Sequence, residues 1–295
     1  MSEKVWFITG TSRGFGRDWA VAALERGDKV AGTARNTATL NDVVDKYGDA
    51  LLPIRLDVTD RDGDFAAVKR AHDHFGRLDI VVNNAGYGQF GFVEELSEQQ
   101  ARDQIETNVF GALWITQAAL PYLREQRSGH IIQVSSIGGI TAFPLVGIYH
   151  ASKWALEGFS QALAQEVAPF GVHVMVAQPG AHRTRFSDNL QPALPPGSAY
   201  ADIFAAVMKP LEWLGEHQRD AARAVRVMAD VLESPRPAFR TRLGPDAIIC
   251  AAAARVLPYR VRSRILGRFL GLPASPGRSR RPSGQLRHSS ATRPG

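Results

Sequence analysis

A single cysteine, Cys250, in 295 residues excludes a disulfide framework and any Cys-rich zinc or iron–sulfur centre. The eight histidines show no paired spacing of the kind that ligates a metal, so no metal is expected. No apolar run approaches the ~20 residues of a membrane-spanning helix. Met1 to Lys4 leads straight into Val5-Trp6-Phe7-Ile8, without the layout of a signal peptide, and a reducing, cytoplasmic setting is the expectation. Acidic residues are missing from one end of the chain: none follows Asp246, whereas ten arginines do. Taking those ten from the 35 basic residues leaves 25 against 29 acidic ones, so the +6 net charge belongs to the C-terminal tail. What is present is ordinary for a globular protein. At 44% hydrophobic and 22% charged, the chain can fill one large domain or two modest ones, and wholesale disorder is excluded.

Along the first 180 residues, short β-rich runs alternate with stretches of helical spacing. The strand candidates are Val5–Thr9, Lys29–Ala34, Leu51–Leu56, Ile80–Asn83, His130–Val134 and Val172–Ala177. Most are nearly continuous apolar runs, as expected for strands buried on both faces of a parallel sheet. Segments such as Trp19–Arg26 and Phe65–Phe75 have helical spacing. Repeated strand–helix–strand units predict an α/β fold: a Rossmann-type doubly wound parallel sheet in three layers (α/β/α). The expected layout is one domain over 1–254, a substrate loop near 183–215 within it, a basic amphipathic extension over 255–274 and a disordered tail over 275–295. Helices are expected near Ala201–Leu214 and Asp220–Leu232, and a last strand at Phe239–Leu243.

The first strand runs into Thr9-Gly10-Thr11-Ser12-Arg13-Gly14-Phe15-Gly16, and a helical pattern follows. Gly10 permits a sharp turn. Gly14 and Gly16 remove side chains where backbone would approach a pyrophosphate and where helix packs on strand. The helix N-terminus then offers free N–H groups and the positive end of its dipole. An ordinary glycine-rich turn is the alternative, and its place after the first strand of a β/α series favours a dinucleotide.

The spacing is G-x-x-x-G-x-G, and further landmarks follow in order. They are Asp57-Val58, Asn83-Asn84-Ala85-Gly86, Asn108, Ser135-Ser136, Tyr149-x-x-x-Lys153 and Pro179-Gly180 with Thr184 beyond. From Val5 to Leu243 the chain resembles the classical short-chain dehydrogenase/reductase (SDR) family. The resemblance implies a catalytic set of Asn108, Ser136, Tyr149 and Lys153. It implies cofactor contacts from Gly10, Ser12, Arg13, Gly14, Phe15, Gly16, Arg35, Asp57, Val58, Asn84, Ala85, Gly86, Tyr149, Lys153, Pro179, Gly180 and Thr184. It also implies that Asn108 links Lys153 through water to a proton relay.

Tyr149 and Lys153, four apart, fall on one face of a helix. A free phenol titrates near ~10, and a fixed ammonium beside it is expected to lower that value. Tyr149 could then act as general acid or base at a carbonyl or alcohol oxygen. Ser136 stands thirteen residues earlier, at a strand's C-terminal end, where a hydroxyl can hold that oxygen. Neighbouring Ser135 is assigned the plain role of a capping or loop serine. The reaction implied is hydride transfer at a C–O centre with a nicotinamide cofactor.

Ala34 stands where an acid would bind the adenosine ribose of NAD, with Arg35 beside it and Arg13 in the glycine turn; this favours NADP(H) over NAD(H). Tyr87, Gln89, Phe90, Phe143 and Phe186, with Ser136, are expected to line the substrate pocket, suiting a mostly apolar carbonyl or secondary alcohol. Two other functions fit the same fold: reduction of a 3-oxoacyl thioester on acyl-carrier protein or coenzyme A, and non-catalytic sensing of NADP(H). A sensor would be marked by loss of Tyr149 or Lys153, and both are present. A homo-oligomer is implied by the resemblance, and no base-reading motif is present. Residues 255–272 mix apolar residues with arginines. Packing on the same subunit or a partner is favoured over contact with an anionic membrane, because Pro258 and Gly267 interrupt the helix.

Overall fold

A computed structural model of the chain describes residues 3–182, 198–216, 224–227, 234 and 237–272, with backbone alone for 211–216. Among them, the strands are β1 (Val5–Ile8), β2 (Lys29–Ala34), β3 (Leu51–Arg55), β4 (Ile80–Asn83), β5 (Gly129–Val134), β6 (Val172–Pro179) and β7 (Arg240–Leu243). All pair in parallel, in the order β3-β2-β1-β4-β5-β6-β7. The helices are α1 (Gly14–Glu25), α2 (Asn41–Tyr47), α3 (Arg61–Phe75), α4 (Glu98–Ile105), α5 (Gly111–Gln126), α6 (Gly147–Val167), α7 (Ala201–Glu216), α8 (Pro245–Val256) and α9 (Tyr259–Phe269).

The continuous apolar runs have the cause inferred from the sequence. Successive strand side chains point to opposite faces. Phe7, Val81 and Ile131 enter one core with Ile115 and Leu123 of α5. Their neighbours Ile8, Val82 and Ile132 enter a second core with Trp19 and Leu24 of α1. Helices therefore cover both faces of the sheet, the three-layer α/β arrangement. Pro53, which cannot donate to a ladder, is confined to the edge strand β3.

Strand order reverses between β1 and β4, so the loops leaving these two strands diverge and open a crevice at the carboxyl edge. The strand ends differ slightly from the sequence reading. β1 and β3 stop one residue sooner and β5 starts at Gly129, whereas β6 continues to Pro179 because Pro179 pairs with Leu243 of β7. At the other edge, two buried aspartates pin the sheet. Asp28 accepts the Lys4 amide and the Trp6 indole, each at 3.0 Å, and Asp79 accepts the Val5 amide at 2.9 Å.

A smaller core joins Phe92, Leu145, Val207 of α7 and Leu270, just past α9. Pro258 caps α9 and separates it from α8, and Gly267 lies inside α9 without breaking it. The expected helix near Asp220–Leu232 falls largely outside the described residues, although 224–227 are helical. The expected tail over 275–295, and most of the loop expected before α7, also lie outside them.

Candidate active site

The turn from β1 into α1 is held open by glycine. Gly10 and Gly14 have φ of +70° and +60°, a region that side-chain-bearing residues rarely enter. A Cβ on Gly16 would sit 2.4 Å from both the Gly10 carbonyl oxygen and Asn84 Nδ2. At the N-terminus of α1, Arg13 makes no side-chain cap and no acidic residue occupies the first turn. Such an end keeps its amides and positive dipole available for an anion. This open cradle fits the pyrophosphate of a dinucleotide. Ser12 and Phe15 are half-buried beside it, Phe15 stacking on Trp19 at 5.2 Å.

The turn is welded to the end of β4. Asn84 Nδ2 donates to the carbonyls of Thr9 and Gly10 at 2.9 and 3.0 Å. The buried Thr9 hydroxyl accepts the amides of Asn84 and Ala85, each at 2.9 Å, and donates to the Val82 carbonyl. Thr9 escaped the sequence reading; its partners lie some 75 residues away and no local spacing reveals them. Ala34 is buried at the end of β2, with Arg35 exposed after it, and Arg13 is exposed in the turn. Arg17 of α1 donates to the Thr39 carbonyl at 2.8 Å and pairs with Asp42, fixing the loop that follows Arg35. Asp57 is exposed and accepts the amide and hydroxyl of Thr59, whereas Val58 is buried against Gly111.

Beyond β5 and β4 the four residues of the expected catalytic set approach one another. Tyr149 and Lys153 lie on α6 and are both buried. Lys153 Nζ donates to the Val134 carbonyl at 2.8 Å and stands 5.7 Å from the centre of the Tyr149 ring. Burial pushes the phenol up to about 12, opposed by a hydrogen bond with Ser136. Burial lowers the Lys153 ammonium to about 8. The phenol is therefore raised where a lowering by its lysine was expected: burial is the larger cause, and the opposing influence comes from Ser136.

Ser136 stands beside Tyr149 as the spacing implied, and it also takes a capping role. Ser136 Oγ accepts the Gly138 amide at 3.0 Å, capping the turn Ile137–Gly139, and is also the partner of Tyr149. Ser135, given the plain capping or loop role, is a buried residue past the strand end with its hydroxyl unpartnered. Both lie just past β5, where strand alternation no longer fixes direction.

Asn108 sits in a π-helical turn, Glu106–Phe110, between α4 and α5. Its Oδ1 accepts the Tyr87 amide at 3.1 Å; its Nδ2 donates to the Tyr87 carbonyl at 2.9 Å and to Ser152 Oγ at 3.0 Å. A Cβ on Gly86 would lie 2.9 Å from Asn108 Oδ1 and 3.7 Å from Lys153 Nζ, so Gly86 keeps the space between them open. Gln104 completes the clamp on this loop, accepting the Gln89 amide at 2.6 Å and donating to the Tyr87 carbonyl at 2.9 Å. His150 does the same for the next loop: its Nδ1 bonds the Gly138 carbonyl at 3.0 Å and its Nε2 accepts the Phe143 amide at 2.9 Å. Gln104, His150 and Ser152 were not singled out in the sequence, since their partners are set by the tertiary fold.

Of the expected pocket residues, Tyr87, Gln89 and Phe143 are half-buried on these clamped loops, and the Phe143 ring meets His150 edge-on at 5.4 Å. Phe90 packs instead against the small third core. Past Pro179, the Gly180 amide donates to the Leu243 carbonyl at 2.9 Å, and Asp246 of α8 accepts the Ala181 amide at 2.6 Å. Thr184 and Phe186 lie outside the described residues. Among the described residues no cluster could hold a metal ion, and no helix is long and apolar enough to cross a membrane.

Residues 4–194 match the family model described as short chain dehydrogenase. The chain is 40% identical over 257 residues to the Botryotinia fuckeliana protein named oxidoreductase BOA17, covering 86% of this chain and 94% of that one. It is 37% identical over 250 residues to a Bacteroides thetaiotaomicron protein named 3-ketodihydrosphingosine reductase, covering 83% and 89%. A solved short-chain dehydrogenase from Streptomyces avermitilis matches with a TM-score of 0.78 at 39% identity, over 90% of this chain and 95% of that one. Similar folds have been solved with either dinucleotide. The Burkholderia cenocepacia structure holds NADP (TM-score 0.72, 28% identity, 90% and 98% covered). The Burkholderia phymatum structure holds NAD (TM-score 0.76, 23% identity, 89% and 95% covered).

Proposed function

The chain belongs to the short-chain dehydrogenase family and is an oxidoreductase with a nucleotide-binding Rossmann fold; from that footing we propose that it transfers hydride between NADP(H) and a carbonyl or secondary alcohol on a mostly apolar substrate. The observation that carries this reading is the meeting of Tyr149, Ser136 and Lys153 beyond β5, with Asn108 against the same helix.

In the direction of reduction, Tyr149 holds the proton. Burial keeps the phenol protonated at neutral pH, and the Ser136 hydroxyl bonds to it. A carbonyl oxygen lodged beside both hydroxyls would take the phenolic proton as negative charge develops on it. Lys153 remains an ammonium below about pH 8. Val134 takes one of its three N–H donors, which leaves two for the phenol and for ribose hydroxyls. Asn108 acts on the geometry by fixing the Tyr87 backbone and, through Ser152, the backbone of Tyr149.

When bound, a nicotinamide dinucleotide supplies or accepts the hydride. The glycine turn and the α1 N-terminus would hold its pyrophosphate. Asp57 and Val58 would hold the adenine; Asn84, Ala85, Gly86, Pro179, Gly180 and Thr184 would flank the remainder. Arg13 and Arg35 would hold a 2′-phosphate, and Ala34 leaves no acid to repel it. The half-buried Tyr87 and Phe143 support an apolar substrate, and the name of the Bacteroides relative makes long-chain 3-oxo compounds the first class to try. The test is a panel of apolar ketones, long-chain 3-oxo amines and 3-oxoacyl thioesters, scored by loss of NADPH absorbance. Turnover of an apolar ketone or 3-oxo amine supports the reading; turnover confined to thioesters would replace it.

A further inference from the structure

Helices α8 and α9 each turn an apolar stripe to solvent. On α8 it is Ile248, Ile249 and Val256; on α9 it is Val261, Ile265 and Phe269, spaced four apart along one face. Ile265 and Phe269 are 56% and 55% exposed. The other side of α9 is anchored, because Leu266 and the buried Leu270 pack into the small core with Phe92 and Val207. With Leu272, this anchoring accounts for three of the apolar residues in the segment and leaves Val261, Ile265 and Phe269 uncovered.

Charge identifies the occupant. Arg255, Arg260, Arg264 and Arg268 lie along the exposed surface of the same two helices. Among the described residues none of them is held in an ion pair. No acidic residue follows Asp246, at the start of α8, so α9 carries no acid of its own. A two-fold contact with a second copy would set these arginine-rich faces against each other, since such an interface pairs a patch with itself. A face that is apolar along its centre and cationic along its flank complements an anionic lipid surface: the apolar residues enter the headgroup boundary while guanidinium groups stay with the phosphates.

We propose that α8 and α9 form a peripheral docking surface for anionic phospholipid bilayers. Val261, Ile265 and Phe269 insert, and Arg260, Arg264 and Arg268 engage the headgroups. The body of the protein is then held at the bilayer by the packing of Leu266 and Leu270. The proposal stands independently of the catalytic reading, because none of these residues belongs to the candidate active site.

The test is co-sedimentation of the full chain with vesicles of phosphatidylglycerol and phosphatidylcholine, and with vesicles of phosphatidylcholine alone. The parent protein should bind the anionic vesicles, release from them when salt is raised from about 0.1 M to about 1 M, and ignore the neutral ones. The pair Ile265→Asp with Phe269→Asp should weaken binding by about tenfold or more, since it places charge where apolar side chains must insert. The pair Arg264→Glu with Arg268→Glu should weaken it comparably. All four side chains are exposed, so melting temperature should hold in both variants; either pair alone suffices should the other fold poorly. Failure of the parent to bind anionic vesicles would overturn the proposal. Binding by both variants equal to the parent would also overturn it, by assigning the attraction to the arginines beyond 272. So would a vesicle-free parental dimer that the Ile265→Asp, Phe269→Asp pair dissolves, because the face would then serve self-association.

Discussion

The Asn108 side-chain amide donates to the Ser152 hydroxyl at 3.0 Å, and that hydroxyl donates in turn to the Tyr149 carbonyl at 2.7 Å. A π-helical turn, the loop after β4 and the active-site helix are thereby joined through two buried side chains. Asn108 spends both N–H groups on this joint, one on Tyr87 and one on Ser152.

Ser152→Ala removes one acceptor and leaves a buried Asn108 N–H unpaired. The expected loss is about 1–3 kcal/mol of stability, the ordinary cost of an orphaned buried donor. Denaturant unfolding of the variant against the parent checks this. A midpoint unchanged from the parent would show that the joint carries no load.

Asp64 of α3 is fully buried, and neither of its carboxyl oxygens has a hydrogen-bond partner. Burial, with Asp60 and Asp57 nearby, raises its pKa from 3.8 to about 8. The sign follows from linkage. At pH 7 the folded state must keep a proton that the unfolded chain has released, so stability from this group is complete below about 3.8 and is lost as pH climbs toward 8. Asp64→Asn should therefore raise stability at pH 8 by on the order of 1–3 kcal/mol and little at pH 4. Melting curves at the two pH values measure the difference, and an equal effect at both would contradict it.

Arg35→Asp sets a carboxylate beside the proposed 2′-phosphate position. NADPH affinity should fall by about tenfold or more while NADH affinity holds or improves. Fluorescence titration of both dinucleotides reads this directly. Equal NADPH and NADH affinity in the parent protein would remove the basis for a preference.

Lys153 titrates at about 8 because it is buried. Its charge is present below that value and lost above it, whereas Tyr149, at about 12, keeps its proton across the working range. The kcat/KM for reduction should accordingly be level near pH 7 and decline as pH rises through about 8. A profile flat to pH 10 would show that the ammonium is not required.

Much of the fold was legible because its signals are local. Continuous apolar runs marked strands covered on both faces, and the glycines of the β1–α1 turn announced a backbone that no Cβ can share. Tyr149 and Lys153 were readable because a four-residue spacing survives in a helix. The clamps were not readable. Thr9 with Ala85, Gln104 with Gln89 and Asn108 with Ser152 are pairs brought together by the tertiary fold. The thirteen-residue spacing singled out Ser136 over Ser135, and Ser136 is the hydroxyl that meets Tyr149; that the same hydroxyl also accepts the Gly138 amide was not readable, because strand alternation stops at Val134. The direction of the Tyr149 shift was not readable either: the sequence shows the lysine four residues on and hides the burial that raises the phenol.

The central claim is that Tyr149 supplies the proton. It is tested most directly by Tyr149→Phe, with turnover followed by NADPH absorbance on a substrate the parent protein reduces and NADPH affinity measured in parallel. Loss of the hydroxyl should lower kcat by about 100-fold or more while leaving the NADPH Kd within about twofold of the parent, because the proton is removed and the ring stays. Turnover retained at the parental rate would contradict the account.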